Sequence, residues 1–204
     1  FEIIYVAKGS AVDWIDGVEV SLQTHELCIH NPNARPLEAS LLLPLPPGAT
    51  IAGFDLDVGG ELREGVPVAR EKARIAFEDE VRRGIDPGLA EHIAGNLFRT
   101  RVYPVPAEGG RVVRVSFLAP LLFSPSGDAA LSLPQPREPV ARRRVRISCA
   151  VPGAEAPTVG GLGDAAFSRA EARWVLEKTE EGVSPASDIL LALPALPAVW
   201  TACE

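Results

Sequence analysis

The chain has no methionine, three cysteines and few aromatic residues, which make up 6% of its 204 positions. Because it starts at Phe1, we expect the natural start to have been removed or to lie upstream, so any signal peptide is invisible and the compartment stays open. Hydrophobic runs are short as well. The run over residues 189–197 is broken by proline and falls below the roughly 18 residues that a membrane-spanning helix needs, so no membrane span is predicted.

The cysteines, Cys28, Cys149 and Cys203, are too widely spaced for a CxxC metal knuckle or a disulfide-dense scaffold. The spacing leaves open whether one disulfide joins Cys28 and Cys149. Buried thiols are favoured, because these residues lie in apolar, strand-like runs where cysteine behaves as a small hydrophobic residue.

Positive charge is scarce overall and concentrated locally. The net charge of -7 and the pI near 5.1 mean that the average surface would repel a long polyanion, which excludes nucleic acid as the expected partner. Five arginines lie between Arg137 and Arg146. We interpret this run as the solvated entrance of a strand, the usual role of such runs.

Glycine and proline, in contrast, are abundant. The 18 Gly and 19 Pro are too many for a helical bundle, whereas 47% hydrophobic residues suffice for a core, so a mainly all-β fold of many short strands is predicted. Gly59-Gly60 supplies a hairpin turn, and 97–105 with 111–121 suggests a second hairpin. Period-two alternation predicts strands over these segments: 18–29, 38–46, 51–58, 61–66, 97–105, 111–121, 143–151, 171–178 and 188–194.

One amphipathic helix is predicted at about 68–83, and Gly84 ends it. Opposite charges four residues apart, such as Glu78 and Arg82, support a solvated outer face. The face expected to dock on the sheet carries these residues: Ala69, Ala73, Ala76, Phe77 and Val81.

Prolines divide the chain into three predicted parts. Residues 1–123 are predicted to form a first strand-rich region with the helix, residues 124–139 a proline-rich connection, and residues 140–204 a second β region.

Three central segments occur in an order that resembles the VIT domain: LLLPLPPGATIAGFDLDVGG (41–60), REKARIAFEDEVRRG (70–84) and NLFRTRVYPVPAEGGRVVRVSFLAPL (96–121). Pro44-Leu45-Pro46 is similar to the family's proline-stopped strand end, and the segment from Glu71 to Gly84 is similar to its helix motif. The residues that carry the resemblance, all interpreted as structural, are Pro44, Pro46, Gly59, Gly60, Glu71, Lys72, Ala73, Phe77, Gly84 and Phe98.

The resemblance implies that residues 1–123 form an antiparallel β-sandwich of the kind usually placed before a von Willebrand factor A domain. It also implies that residues 140–204 are a β extension that packs on this first part. The adhesion signature DxSxS of that domain does not occur in this chain, so its cation chemistry is not assigned to these residues. The implied partner is a protein, or the adjacent von Willebrand A domain in a longer parent chain. The oligomeric state is left open.

Residues with chemical potential are better explained as structural. His25, His30 and His92 have too few neighbouring ligands for a zinc site, and His25 and His30 point to opposite faces of one strand. Asp55 and Asp57 are expected on the solvent side of a strand. The GxGxxA run at 161–166 is predicted to be a loop, because no βαβ unit surrounds it. No catalytic residue, metal site or cofactor is predicted.

These observations predict a non-catalytic protein-interaction or scaffold module. The alternative is a carbohydrate- or matrix-binding β-sandwich, in which exposed aromatic residues would line a groove. Only Trp14, Trp174 and Trp200 could supply large rings for it, and core roles are favoured for the last two. A hydrolase would need a pocket of convergent titratable groups that no pattern in the sequence indicates.

Overall fold

Strands make up most of the protein. The structure, a computed structural model, describes residues 2–8, 12–15, 18–65, 70–83, 88–135, 137–150, 155–183 and 187–194, with side chains from residue 24 onward except at 70 and 71. In chain order its elements are β1 (Glu2–Lys8), β2 (Val12–Ile15), β3 (Val18–Asn31), β4 (Leu37–Pro44), β5 (Thr50–Val58), β6 (Glu61–Glu64), α1 (Arg70–Arg83), β7 (Gly88–Ala94), β8 (Leu97–Val105), β9 (Gly109–Pro120), β10 (Leu122–Phe123), β11 (Ala129–Leu133), β12 (Val140–Cys149), β13 (Thr158–Gly160), β14 (Ser168–Ala170), β15 (Arg173–Val183) and β16 (Ile189–Leu193).

Across the described ranges, the strands form three sheets. The large sheet has the order β14-β15-β12-β1-β3-β9-β5-β6, and β2 pairs with one end of β3. A three-stranded sheet has the order β4-β8-β7, and a four-stranded sheet has the order β10-β11-β16-β13. Strand pairs are antiparallel apart from β1 and β12, which are parallel.

The two smaller sheets share a core with the large sheet. Inward-facing residues of β9 alternate strictly, and Val113, Val115 and Phe117 are fully buried. One continuous cluster joins them to Val102 of the three-stranded sheet and to Ile189 of the four-stranded sheet. The predicted mainly all-β, sandwich-like fold with one helix is therefore confirmed.

The helix α1 docks through a narrower stripe than predicted. Phe77 is buried and Ala73 is half-buried, but Ala76 is exposed and Ile75 is 51% exposed. The helix lies against β7, an edge strand of the three-stranded sheet, so only one side of it finds a surface to cover. The predicted residues Ala69 and Gly84 lie outside the described ranges.

Several strands differ from the sequence prediction. The expected hairpin of residues 97–105 and 111–121 is wrong, because β8 pairs with β4 and β7, whereas β9 pairs with β3 and β5 in the large sheet. The turn between β8 and β9 thus crosses from one layer of the sandwich to the other. The sequence prediction missed seven strands, β1, β2, β7, β10, β11, β13 and β14, and β11 lies inside the expected proline-rich connection, 124–139. The division into three parts stays a prediction.

Candidate interaction surfaces

The outer face of the large sheet is a lattice of opposite charges. Asp55, Arg114 and Glu26 are neighbours in one row across β5, β9 and β3. The guanidinium of Arg114 donates to one carboxylate oxygen of Glu26 at 2.9 and 3.2 Å. A half-solvated sheet alternates apolar residues inward and polar residues outward, and the alternation here gives a hydrated face.

Three of the five arginines in the basic run at 137–146 are paired with glutamates of the neighbouring strand. The antiparallel register of β12 and β15 sets arginines opposite glutamates, and three pairs form salt bridges: Arg142 with Glu181, Arg143 with Glu180, and Arg146 with Glu177. Opposite charges directly across a strand pair stabilise it modestly. The run was interpreted as the solvated entrance of a strand, but β12 begins at Val140, so four of the five arginines lie within the strand and Arg143 among them is buried.

One of these arginines is buried. The side chain of Arg143 is only 4% exposed and donates to Glu180 and, at 2.9 Å, to the amide oxygen of Gln135. Gln135 in turn donates its backbone N–H to Asp188 at 3.2 Å. This network joins β12 and β15 of the large sheet to the chain after β11 and before β16, so it fixes the four-stranded sheet on the large one.

The outer face of the four-stranded sheet carries no charged side chain along its described strands. The register places its outward residues in adjacent rows, with Leu122 beside Ala130 and with Leu190 between Ser132 and Gly160. Leu122 is 62% and Leu190 is 57% exposed. We call this surface the uncharged face; its members are Leu122, Ala130, Ser132, Thr158, Gly160, Leu190 and Ala192.

A second feature is a pocket of about 610 Å³ between α1, β5, β7 and β8, which we call the helix pocket. Its apolar walls are Ile51, Phe54, Phe77, Leu89 and Phe98. At Gly88, a Cβ would lie 2.9 Å from Cδ2 of Leu56 and 3.1 Å from Cε1 of Phe54, so glycine allows β7 to approach β5 at the bottom of the sandwich.

The polar groups of the helix pocket are Glu64, Glu80 and His92. The His92 ring forms a hydrogen bond of 2.6 Å with the carbonyl of Gly95 and meets Phe98 edge to face. Glu80 forms an exposed ion pair with Arg83 at 3.6 Å. The pocket therefore combines aromatic walls with two carboxylates.

An arginine contacts the outer wall of this region. The guanidinium of Arg101 lies 4.5 Å from the ring centroid of Phe77 and donates to both carboxylate oxygens of Glu38 at 2.7 and 3.1 Å. The hydrogen bond to Glu38 raises the pKa of Arg101. Such bidentate pairs hold the guanidinium plane in place, so the contact of Arg101 with Phe77 holds α1 against β8.

The residues of the family motif are spread over turns and packing contacts. Pro44 ends β4. Pro46 is buried, and its carbonyl oxygen accepts the backbone N–H of Ala49 at 3.0 Å in the turn that follows. Gly59 and Gly60 form the β5–β6 turn with positive φ, as predicted. Lys72 is exposed and Phe98 lines the helix pocket, while the side chain of Glu71 lies outside the described part.

The histidines are separated by the sheet. His25 is buried on the inner face of β3, its ring edge-to-face with Phe117 at 4.9 Å, and burial lowers its pKa to about 3. His30 is exposed, so the prediction that these two residues face opposite ways is confirmed. Among the described residues, no three His, Cys, Asp or Glu side chains are grouped as metal ligands.

The cysteines Cys28 and Cys149 are both reduced. Cys28 lies across β1 from Arg142, and Cys149 is seven residues further along β12. That is a separation of about 23 Å at ~3.3 Å per residue, far beyond the ~7 Å that a disulfide spans. Burial raises the pKa of the Cys149 thiol to about 11. Cys203 lies outside the described ranges.

The GxGxxA run forms a loop, as predicted. Leu162 is fully buried in the core, and the N–H of Ala165 closes a turn onto its carbonyl at 3.1 Å. The strand β14 follows, not a helix. The carboxylate of Asp57 accepts the backbone N–H of Gly60 at 2.8 Å and so closes the β5–β6 turn. In the described ranges, no helix is both long and apolar enough to cross a membrane.

The comparison with protein families identifies the central part of the chain. Residues 19–117 match the model of the vault protein inter-alpha-trypsin domain, so this part of the chain belongs to the VIT family. The resemblance stated from the motifs is thereby confirmed. The match covers β3 to β9, which contain the three-stranded sheet, α1 and the helix pocket. No curated protein matches the chain.

A solved structure shares the fold. It is a Legionella pneumophila protein provisionally described as nutrient-binding, with a TM-score of 0.53 and 9% sequence identity. The alignment covers 94% of this chain, so the likeness extends beyond the VIT region. This chain spans 64% of that structure's chain.

Proposed function

We propose that the chain is a non-catalytic protein-interaction module that acts as a scaffold for an adjacent domain of a longer parent chain. Membership of residues 19–117 in the VIT family supports this, because such domains occur alongside von Willebrand factor A domains. The observation that carries the proposal is the uncharged face, which contrasts with the charged lattice on the large sheet.

The uncharged face suits a tethered partner. It has seven residues, whereas a stable interface between separate proteins uses roughly 20–30 residues a side. A domain on the same chain is present at a high effective concentration and needs less contact to dock. Leu122 and Leu190 are the anchors, since they expose the most apolar surface on this face.

The absence of a catalytic centre is part of the same proposal. His25, the obvious acid–base candidate, is buried beside Phe117 with a pKa of about 3, far from the range of a general base at neutral pH. The pKa of Cys149, about 11, keeps its sulfur as a thiol, whereas nucleophilic cysteines are thiolates. Both shifts have burial as their main cause.

The alternative, carbohydrate or matrix binding, receives no support from the described tryptophan. Trp174 packs against the core, and Arg169 lies 5.2 Å from its ring centroid. The side chains of Trp14 and Trp200 lie outside the described part of the chain.

The test compares the parent chain with the isolated 204-residue chain by hydroxyl-radical footprinting. We expect oxidation of Leu122 and Leu190 to fall several-fold in the parent, because a docked domain excludes water from them. Leu62, 38% exposed on β6, is the internal control and should not change.

A matched pair of variants completes this test. In the parent chain, Leu122→Lys with Leu190→Lys should separate this chain from the adjacent domain, because docking would bury unpaired charge. Small-angle scattering should then show a larger radius of gyration for the parent. Leu62→Lys should leave the parent compact. Equal oxidation of Leu122 and Leu190 in the parent and the isolated chain would show that the face is not the docking surface.

A further inference from the structure

The helix pocket has the size and walls of a small-molecule site. Its volume of about 610 Å³ lies within the range of roughly 300–1,000 Å³ that is usual for ligand pockets. Phe54, Phe98 and Ile51 offer an apolar surface, and α1 closes one side. The pocket is separate from the uncharged face, which lies on the four-stranded sheet.

The charged residues that line the helix pocket have one sign. Of the residues that line it in the described structure, Glu64 and Glu80 are acidic and none is lysine or arginine. Glu80 has one ionic neighbour, Arg83, in an exposed pair that solvent screens strongly. Because low-dielectric walls concentrate the field of carboxylates, the pocket attracts positive charge.

The aromatic walls favour the same kind of group. A cation is attracted to the face of an aromatic ring, and more so when it is removed from water. Phe77 already contacts one guanidinium, that of Arg101, at 4.5 Å. Phe54 and Phe98 line the pocket beside Phe77 and extend the aromatic surface open to a cation.

We propose that the helix pocket binds a small organic cation, an ammonium or guanidinium group carried on an aromatic or aliphatic body. The body packs against Ile51, Phe54 and Phe98, and the charged end points to Glu64 and Glu80. This site is additional to the scaffold function and does not depend on it.

The first experiment uses three probes that share one body and differ in charge: 4-phenylbutylamine, 4-phenylbutanol and 4-phenylbutyrate. Their binding to the full chain is measured by titration calorimetry at low salt. We expect the amine to bind at least tenfold more tightly than the alcohol and the carboxylate to bind least. We also expect added salt to weaken only the amine, because screening acts on its charge.

Variants then assign the site. Glu64→Gln with Glu80→Gln should reduce amine affinity to that of the alcohol and leave the alcohol unchanged. Glu61→Gln with Glu78→Gln is the matched control. Glu61 lies on β6 with Glu64, and Glu78 lies on α1 with Glu80, but neither lines the pocket, so this variant removes the same charge away from the site. Phe98→Leu should weaken amine and alcohol alike.

Each outcome decides the proposal once circular dichroism shows that a variant is folded. Equal affinities for the three probes would mean that the pocket is only an apolar cavity, and the proposal would be wrong. An equal loss in the two double-glutamine variants would place the cation elsewhere on the acidic surface and would also overturn it. If the amine does not bind the unmodified chain at all, the proposal is also wrong.

Discussion

One buried histidine, His25, leads us to expect that acid lowers the stability of this protein. His25 lies in the middle of β3, fully within the core and edge-to-face with Phe117. Burial disfavours the charged imidazolium, so the pKa falls from 6.5 to about 3. The unfolded chain therefore binds a proton between these two values that the folded chain does not bind.

The sign of the effect follows from this difference in proton binding. Above pH 6.5 His25 is neutral in both states, and its contribution to stability is fully present. As the pH falls below 6.5, the unfolded state gains a proton and the free energy of unfolding decreases. At pH 5, which is 1.5 units lower, the loss is about 2 kcal/mol at ~1.4 kcal/mol per unit.

His25→Leu should remove this loss. Urea unfolding at pH 7.5 and pH 5 gives the free energy of unfolding of the native chain and of the variant. We expect the native chain to lose about 2 kcal/mol more than His25→Leu over this interval. The carboxylates are common to both proteins and cancel in the comparison. His30→Leu, on the same strand, controls for removing a histidine, and an equal loss in native chain and His25→Leu would contradict the prediction.

At the scale of elements, the loop between β13 and β14 rests directly on β16. Gly161 has a φ of 81°, and a Cβ there would lie 2.3 Å from the carbonyl oxygen of Asp188, the residue before β16. Gly163, two residues on, has a φ of 57° with nothing within 4 Å of its Cβ position. The two glycines share a left-handed backbone and differ in the space around them.

Alanine at these two positions separates backbone strain from close approach. Gly163→Ala should cost about 1 kcal/mol, the strain of a left-handed alanine. Gly161→Ala should cost about 3 kcal/mol or more, because it must also displace the backbone of Asp188. Thermal unfolding of both variants gives the comparison. Equal costs would show that the loop moves away from β16 without penalty.

Strands with strong alternation or specific turns were predictable. Residues 97–105 alternate clearly and form β8, and Gly59-Gly60 closes the β5–β6 hairpin. Two of the missed strands have weak local signals: β7 (Gly88–Ala94) follows Pro87 and is poor in β-branched residues, and β11 (Ala129–Leu133) is five residues long between prolines. Their pairing with β8 and β16 stabilises them, and a local pattern does not contain such partners.

The candidate surfaces were less predictable than the strands. Alternation in β11 and β16 separates two sides of each strand but does not tell which side meets solvent or which strands are neighbours. The uncharged face exists because the register aligns Ser132, Leu190 and Gly160. The helix pocket requires residues from β5, α1 and β8 that lie far apart in the sequence. Its one local signal was the family motif, which contains Phe77 and Phe98.

At the scale of the whole molecule, the first described strand, β1, lies in the same sheet as the late strands β12, β14 and β15. The parallel pairing of β1 with β12 places the first strand between the VIT region and the later strands. A single core cluster extends from Leu27 to Leu193, through all three sheets. The buried Arg143 with its partners Glu180 and Gln135 adds a polar link. These contacts predict that residues 124–204 stabilise the first part.

A chain ended at residue 123 tests this dependence. It would lack β12, the partner of β1, and β11, β13 and β16 of the four-stranded sheet, whose buried residues share one core cluster with Val145, Ile147 and Leu176. The free edge of β1 and part of the core would therefore meet water. We expect the full chain to unfold in one cooperative transition and the shortened chain to unfold at a clearly lower urea midpoint, because the contiguous core is cut. Calorimetry and urea unfolding followed by circular dichroism measure both. If the full chain shows two transitions, one of which matches the shortened chain, the VIT region is an independent domain and residues 140–204 are attached to it without stabilising it.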